Sequence, residues 1–206
     1  MPRPFYRRVC IHGATPRFGD AVQKLAEAVL WLERAPASVE LSIRFAQPSQ
    51  MQALNHEHRG IDRPTDVLTF PGSGSGTPEV CWSNELILSH PHNDPDADEW
   101  SAFESSLRQQ RAMLLDLGDI YFSVEYVWLR CLRRPERNLR FHDYLQAALT
   151  HAMLHALGYN HDTPESWRKM SRREKFLAQQ LVTWQRRWPG CLTELDGIEF
   201  LTSARP

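Results

Sequence analysis

Cysteine is scarce in this chain and never clustered: Cys10, Cys81, Cys131 and Cys191 are scattered over 206 residues. That excludes both the dense disulfide framework of a small secreted scaffold and a CxxC redox or metal knuckle. The four read as reduced thiols of an intracellular protein. No apolar run approaches the roughly 20 residues needed to cross a bilayer, and no signal-peptide core follows the start. A soluble, cytoplasmic protein without membrane partners is the expectation. An excess of one charge is missing too, because 24 basic and 25 acidic residues leave a formal net charge of −1. Bulk charge therefore does not mark a protein that coats nucleic acid nonspecifically. The N-terminus is a local exception, with Arg3, Arg7, Arg8 and Arg17 and no acidic residue before Asp20. Mitochondrial transit peptides share that bias, which makes the mitochondrial matrix the alternative compartment. Phe5 to His12 also reads as a first strand, and a leader overlapping a core strand would damage the fold on removal.

What is present is enough for one domain spanning residues 1–206, since 42% of the residues are hydrophobic. Val22, Leu25, Val29 and Leu32 recur at three- and four-residue steps, which predicts an amphipathic helix over about 20–34. Val39, Leu41, Ile43 and Phe45 alternate with polar residues, the pattern of a strand with one buried face. A short helix over about 48–58 leads to Arg59, and 66–70 and 119–124 read as further strands. Helices are predicted over about 138–157 and 164–188, the latter opening on Pro164. The result is an α+β domain, a mixed sheet of about four strands packed against helices. A segment over 72–116 begins Gly-Ser-Gly-Ser-Gly and reads as a surface insertion, with a helix over about 98–115.

The most informative run is His151-Ala-Met-Leu-His155-Ala-Leu-Gly158-Tyr-Asn-His161. His151 and His155 lie one helical turn apart on one face, so both reach a single ion. Gly158 is placed to end the helix and reverse the chain, returning His161 as a third ligand. Three neutral imidazoles suit one Zn²⁺ with its fourth position open, where a bound water becomes a hydroxide donor near neutral pH. The expected metal helix is zincin-like. Zinc peptidases with a related spacing place a glutamate after the first histidine as general base, and here that position is Ala152.

Three further blocks precede this run in order: Asn55-His-Glu-His-Arg59, Pro64-Thr-Asp-Val-Leu-Thr-Phe-Pro71 and Leu117-Gly-Asp-Ile120. Taken with the histidine run, they make the chain resemble the YbeY family over about residues 38–188. The resemblance implies a single-strand-specific endoribonuclease of ribosomal RNA maturation, with His151, His155 and His161 on zinc and Arg59 near the scissile phosphate. Arg59 and His151 are its catalytic candidates, and single-stranded ribosomal RNA, with the ribosomal subunit or its proteins, its implied partners. Ala152, Asn160 and Thr69 depart from the family's glycine, aspartate and serine, and none of these changes removes a ligand.

Other residues carry weaker signals. Arg130, Arg133, Arg134, Arg137 and Arg140 lie just before the metal helix and form either an RNA-backbone contact or a solvated helix face. Arg168, Lys169, Arg172, Arg173 and Lys175 alternate with Glu165 and Glu174 in the manner of an ordinary polar face. Asp66 or Asp162 is a candidate to orient a ligand imidazole from outside, whereas Asp119, Thr65 and Ser123 fit local backbone roles. Two alternatives stand beside the nuclease. One is a hydrolase of peptides or small amides; the other is a non-catalytic rRNA-binding assembly factor with a structural zinc, which would need a fourth ligand such as His90 or His92.

Overall fold

The computed structural model describes residues 9–35, 39–73, 115–133 and 140–187. Within them lie β1 (Val9–His12), α1 (Pro16–Leu32), β2 (Glu40–Phe45), α2 (Pro48–Arg59), β3 (Val67–Pro71), β4 (Asp116–Phe122), α3 (Val124–Arg133), α4 (Phe141–Ala156) and α5 (Pro164–Arg187). The strands make one mixed sheet in the order β1-β2-β4-β3, with β3 antiparallel to β4 and the other pairs parallel. This is the α+β architecture the sequence pattern predicts.

Alternation along the strands decides which face is covered. Leu41 and Ile43 of β2 are buried together with Ile120 and Phe122 of β4, while the paired Ser42 and Asp119, and Arg44 and Tyr121, occupy the other face. Helices α1 and α4 close the apolar side. Phe18, Val22, Leu25 and Val29 come from α1, and Leu145, Leu149, Ala152 and Met153 from α4. Each large aliphatic or aromatic side chain so buried contributes about 1.5–3 kcal/mol. That layer holds α4 in a defined place on the sheet, and the Thr69 hydroxyl of β3 donates to the Ala152 carbonyl at 3.3 Å.

Local chemistry accounts for the ends of the elements. Helix α1 begins four residues earlier than its apolar stripe predicts, because Pro16 stands in the first turn, where its missing N–H costs nothing. A reciprocal pair between Gln47 and Gln50 caps α2. In α5 the Ser166 N–H donates to the Thr163 hydroxyl at 3.1 Å. Strand β4 runs over 116–122 instead of the expected 119–124, since the Ser123 hydroxyl accepts the Tyr126 N–H and turns the chain into α3. Helix α3 carries Arg130 and Arg133 of the arginine run, a helix face for which the sequence pattern gives no bounds. Helix α4 starts after Arg140, later than the expected 138, and residues 134–139 lie outside the described set.

Pro71 pairs with Gly118, so the predicted insertion falls within a hairpin connection. Gly118 has φ +86, and a Cβ there would stand 2.0 Å from the Phe70 carbonyl oxygen. Only glycine closes the hairpin at that point, which is a physical reason for the glycine of the Leu-Gly-Asp-Ile block. The expected insertion helix over 98–115, His90, His92, and Phe5 to Arg8 of the first strand lie outside the described residues, save for Leu115.

Candidate metal centre

His151 and His155 project from α4 one turn apart, with ring centroids 4.6 Å apart and Nε2 atoms separated by 3.1 Å. Gly158 follows in the left-handed region at φ 89, as its place in the sequence requires, and the chain turns back to His161. The His161 ring lies 5.6 Å from that of His151 and 4.8 Å from that of His155. One donor atom from each of the three falls within 4.8 Å of the others. Tetrahedral zinc with bonds of about 2.0–2.1 Å needs donor separations of about 3.3 Å. The helical pair already stands near that spacing, and His161 comes from an exposed loop.

The outer nitrogens decide what the inner ones are. His151 donates its Nδ1–H to the Glu174 carboxylate at 2.7 Å, and His155 donates its Nδ1–H to the Tyr159 carbonyl at 3.0 Å. With the Nδ1 protons outward, the neutral rings present Nε2 lone pairs to each other across 3.1 Å, whereas a protonated ring donates to its neighbour. Two neutral rings so close repel unless a shared proton or a metal ion lies between them, and with His161 as a third donor the set fits a metal ion. Burial, and then the neighbouring His151, lower the pKa of His155 and favour the neutral ring that a ligand must be.

The histidines open on a cleft of about 1110 Å³ floored by α4. Arg59 at the end of α2, with Thr65, Asp66, Val67, Thr69 and Pro71 of the β3 segment, forms one wall. Glu174, Lys175, Ala178 and Val182 of α5 form another. Arg59 and Lys175 are the arginine and lysine of the lining, both are exposed, and among the described residues neither is engaged by a carboxylate.

The outward acceptors differ from those the sequence suggests. Asp66 lines the cleft but accepts the Tyr144 hydroxyl at 2.6 Å and the Thr65 hydroxyl at 3.0 Å. Burial and that bond to Asp66 raise the Tyr144 pKa, so its hydroxyl stays a donor. Asp162 also lines the cleft, without a hydrogen bond to an imidazole. The role considered for these aspartates belongs to Glu174 and to a backbone carbonyl. Nothing in the spacing of Glu174 singles it out, because it reaches His151 through the packing of α5 on α4.

Other candidates take structural places. Asp119 pairs with Arg44 at 2.9 Å on the face of the sheet opposite α4. Ser123 caps α3. Arg130 stands over the Tyr144 ring at 5.6 Å, and Arg140 pairs with Asp143 at 2.9 Å. Arg133 is exposed, while Arg134 and Arg137 lie outside the described residues. Ala152 is fully buried and does not line the cleft, so the position of the peptidase base is part of the core.

Comparison with known proteins gives a consistent result. A family model described as Endoribonuclease YbeY matches residues 11–182. The Endoribonuclease YbeY of Clostridioides difficile is 32% identical over 143 residues, covering 69% of this chain and 71% of the relative. That of Acetivibrio thermocellus is 28% identical over 162 residues, covering 79% and 85% respectively. That of Clostridium perfringens (strain ATCC 13124) is 31% identical over 171 residues, covering 79% and 88%. In fold, the chain is similar to the solution structure of TM1509 from Thermotoga maritima, with a TM-score of 0.51 and 20% identity over 88% of this chain and 94% of that one.

Proposed function

The chain belongs to the YbeY family of endoribonucleases, and from that premise we propose that it cuts single-stranded RNA with one zinc ion held by His151, His155 and His161. The substrate is ribosomal RNA during maturation, met as part of a ribosomal subunit or in the company of its proteins. The compartment is the cytoplasm; no described helix is long and apolar enough to cross a membrane. The observation that carries the metal reading is the convergence of the three imidazoles, with the His151 and His155 Nε2 atoms 3.1 Å apart and their Nδ1 nitrogens turned outward to Glu174 and the Tyr159 carbonyl.

Zinc in such a site lowers the pKa of a bound water and polarises a phosphoryl oxygen. The chain's own residues do the rest. Glu174 holds His151 in the tautomer that ligates, and the Tyr159 carbonyl does the same for His155. Arg59, on the wall formed by α2, offers a planar fork of donors to charge that develops on the scissile phosphate. Lys175, on the α5 wall, takes a phosphate of the flanking backbone as a point charge. The buried Ala152 position counts against a peptidase-like amide hydrolase.

The test is cleavage of a labelled single-stranded RNA and its matched duplex by metal-quantified wild type and Arg59→Ala. Wild type is expected to cut the single strand alone. Arg59→Ala is expected to keep its zinc and lose about 100-fold in rate, the scale of one donor to developing oxyanion charge. Undiminished cleavage by Arg59→Ala removes that residue from the chemistry. Stoichiometric zinc with no cleavage of any strand by wild type favours the assembly-factor reading.

A further inference from the structure

Glu33 is a buried carboxylate that the chemistry above does not use. It follows the last residue of α1 and is 6% exposed. The chain around it is pinned: Arg34 takes φ 57, and the Ala35 N–H reaches back to the Leu30 carbonyl at 2.8 Å, the closure of a helix C-terminus. Two donors converge on the carboxylate from two other elements. Tyr159, in the loop after α4, donates its hydroxyl to Oε2 at 3.3 Å, and Arg173 of α5 donates Nε–H to Oε1. Arg173 also donates to the Leu32 carbonyl at 3.1 Å.

Those two donors belong to the segments that control the ligand histidines. Tyr159 supplies the carbonyl that takes the His155 Nδ1–H, and it stands two residues before His161. Arg173 is the chain neighbour of Glu174, whose carboxylate takes the His151 Nδ1–H. Consecutive helical residues point about 100° apart, so α5 grips α1 with Arg173 and reaches α4 with Glu174. One carboxylate thus anchors both segments that supply the outer acceptors.

We propose that Glu33, through Tyr159 and Arg173, is a positioning residue for the metal centre, setting the orientation of His151, His155 and the loop that carries His161. A buried charge needs both of its donors, and removing one leaves an uncompensated group that pulls the remaining partner out of place. This inference rests on the zinc reading and concerns ligand geometry alone. It predicts that two side chains that touch no ligand histidine, the Glu33 carboxylate and the Tyr159 hydroxyl, change metal affinity.

The experiment is zinc affinity by competition with a chromophoric chelator, for wild type, Tyr159→Phe and Glu33→Gln, beside thermal unfolding of each protein with and without metal. Tyr159→Phe removes one hydroxyl and keeps the ring; it is expected to weaken zinc about three- to tenfold, and Glu33→Gln about tenfold or more, on the scale of outer contacts to a metal site. The absorption of the Co²⁺-substituted variants is expected to shift with the ligand geometry. A purely structural Glu33 would lower the unfolding temperature with and without metal alike. Folded variants that bind zinc within twofold of wild type, with an unchanged Co²⁺ spectrum, overturn the proposal. If Glu33→Gln fails to fold, Tyr159→Phe decides alone. Wild type that takes up no zinc overturns the metal reading and this proposal with it, whereas normal wild-type binding with unaltered variants overturns this proposal only.

Discussion

Helices α4 and α5 both face the candidate metal centre, yet they are built in opposite ways. In α4 the function lies in spacing: His151 and His155 are a turn apart, Gly158 ends the helix region, and His161 returns. In α5 three consecutive charged residues meet three different partners. Arg173 joins the buried Glu33, Glu174 takes the proton of His151, and Lys175 lines the cleft. Two ligands on one helix must share a helical phase, so α4 carries a periodic mark. The contacts of α5 depend on which neighbour each side chain meets after packing, and no period records that.

The comparison can be broken most sharply on α4. His155→Ala is expected to abolish stoichiometric zinc binding and with it cleavage, measured by metal analysis and RNA turnover on the same sample; retained zinc would mean that the helical pair is not the core of the site. Next comes α5, where Glu174→Gln keeps shape and loses the charge that fixes the His151 tautomer. Its zinc affinity is expected to fall about 10- to 100-fold, and an affinity equal to wild type would show that the 2.7 Å contact does not tune the ligand. Lys175→Gln is a smaller change: RNA binding is expected to weaken only a few-fold, with the slope of log affinity against log salt reduced by roughly one phosphate contact's worth, about 0.7 for a single strand. An unaltered slope takes Lys175 off the RNA. Smallest of all is Arg168→Ala, an exposed residue of α5 that is not part of the cleft; zinc affinity and cleavage are expected to stay within about twofold. A large loss there would mean that α5 works through its general charge and not through individual contacts.

The sheet, four of the five described helices and the three histidines were legible because each rests on a local period or a local spacing. Leu41 and Ile43 alternate with polar neighbours, and Val22, Leu25 and Val29 mark one face of α1. Gly118 carried a signal of another kind, a glycine whose need becomes visible only when Phe70 is seen lying against it. Helix α3 was not legible as a separate element, since the turn at Ser123 depends on a single hydroxyl. Glu174 and Glu33 were hidden for the reason that separates the two helices: each meets its partner across the fold, 23 residues away for Glu174 and His151 and 140 for Glu33 and Arg173. Asp66, attractive in its block beside Thr65, turned out to serve Tyr144. Charged residues near a site are thus easy to nominate from sequence and hard to assign to partners without tertiary structure.

The most direct test of the account is a zinc titration of metal-free protein, with cleavage of a labelled single-stranded RNA followed at each addition. Cleavage should be absent at the start, rise in proportion to zinc and level off at one equivalent. Full cleavage before zinc is added and in the presence of chelator, or none at one equivalent of bound zinc, would contradict it.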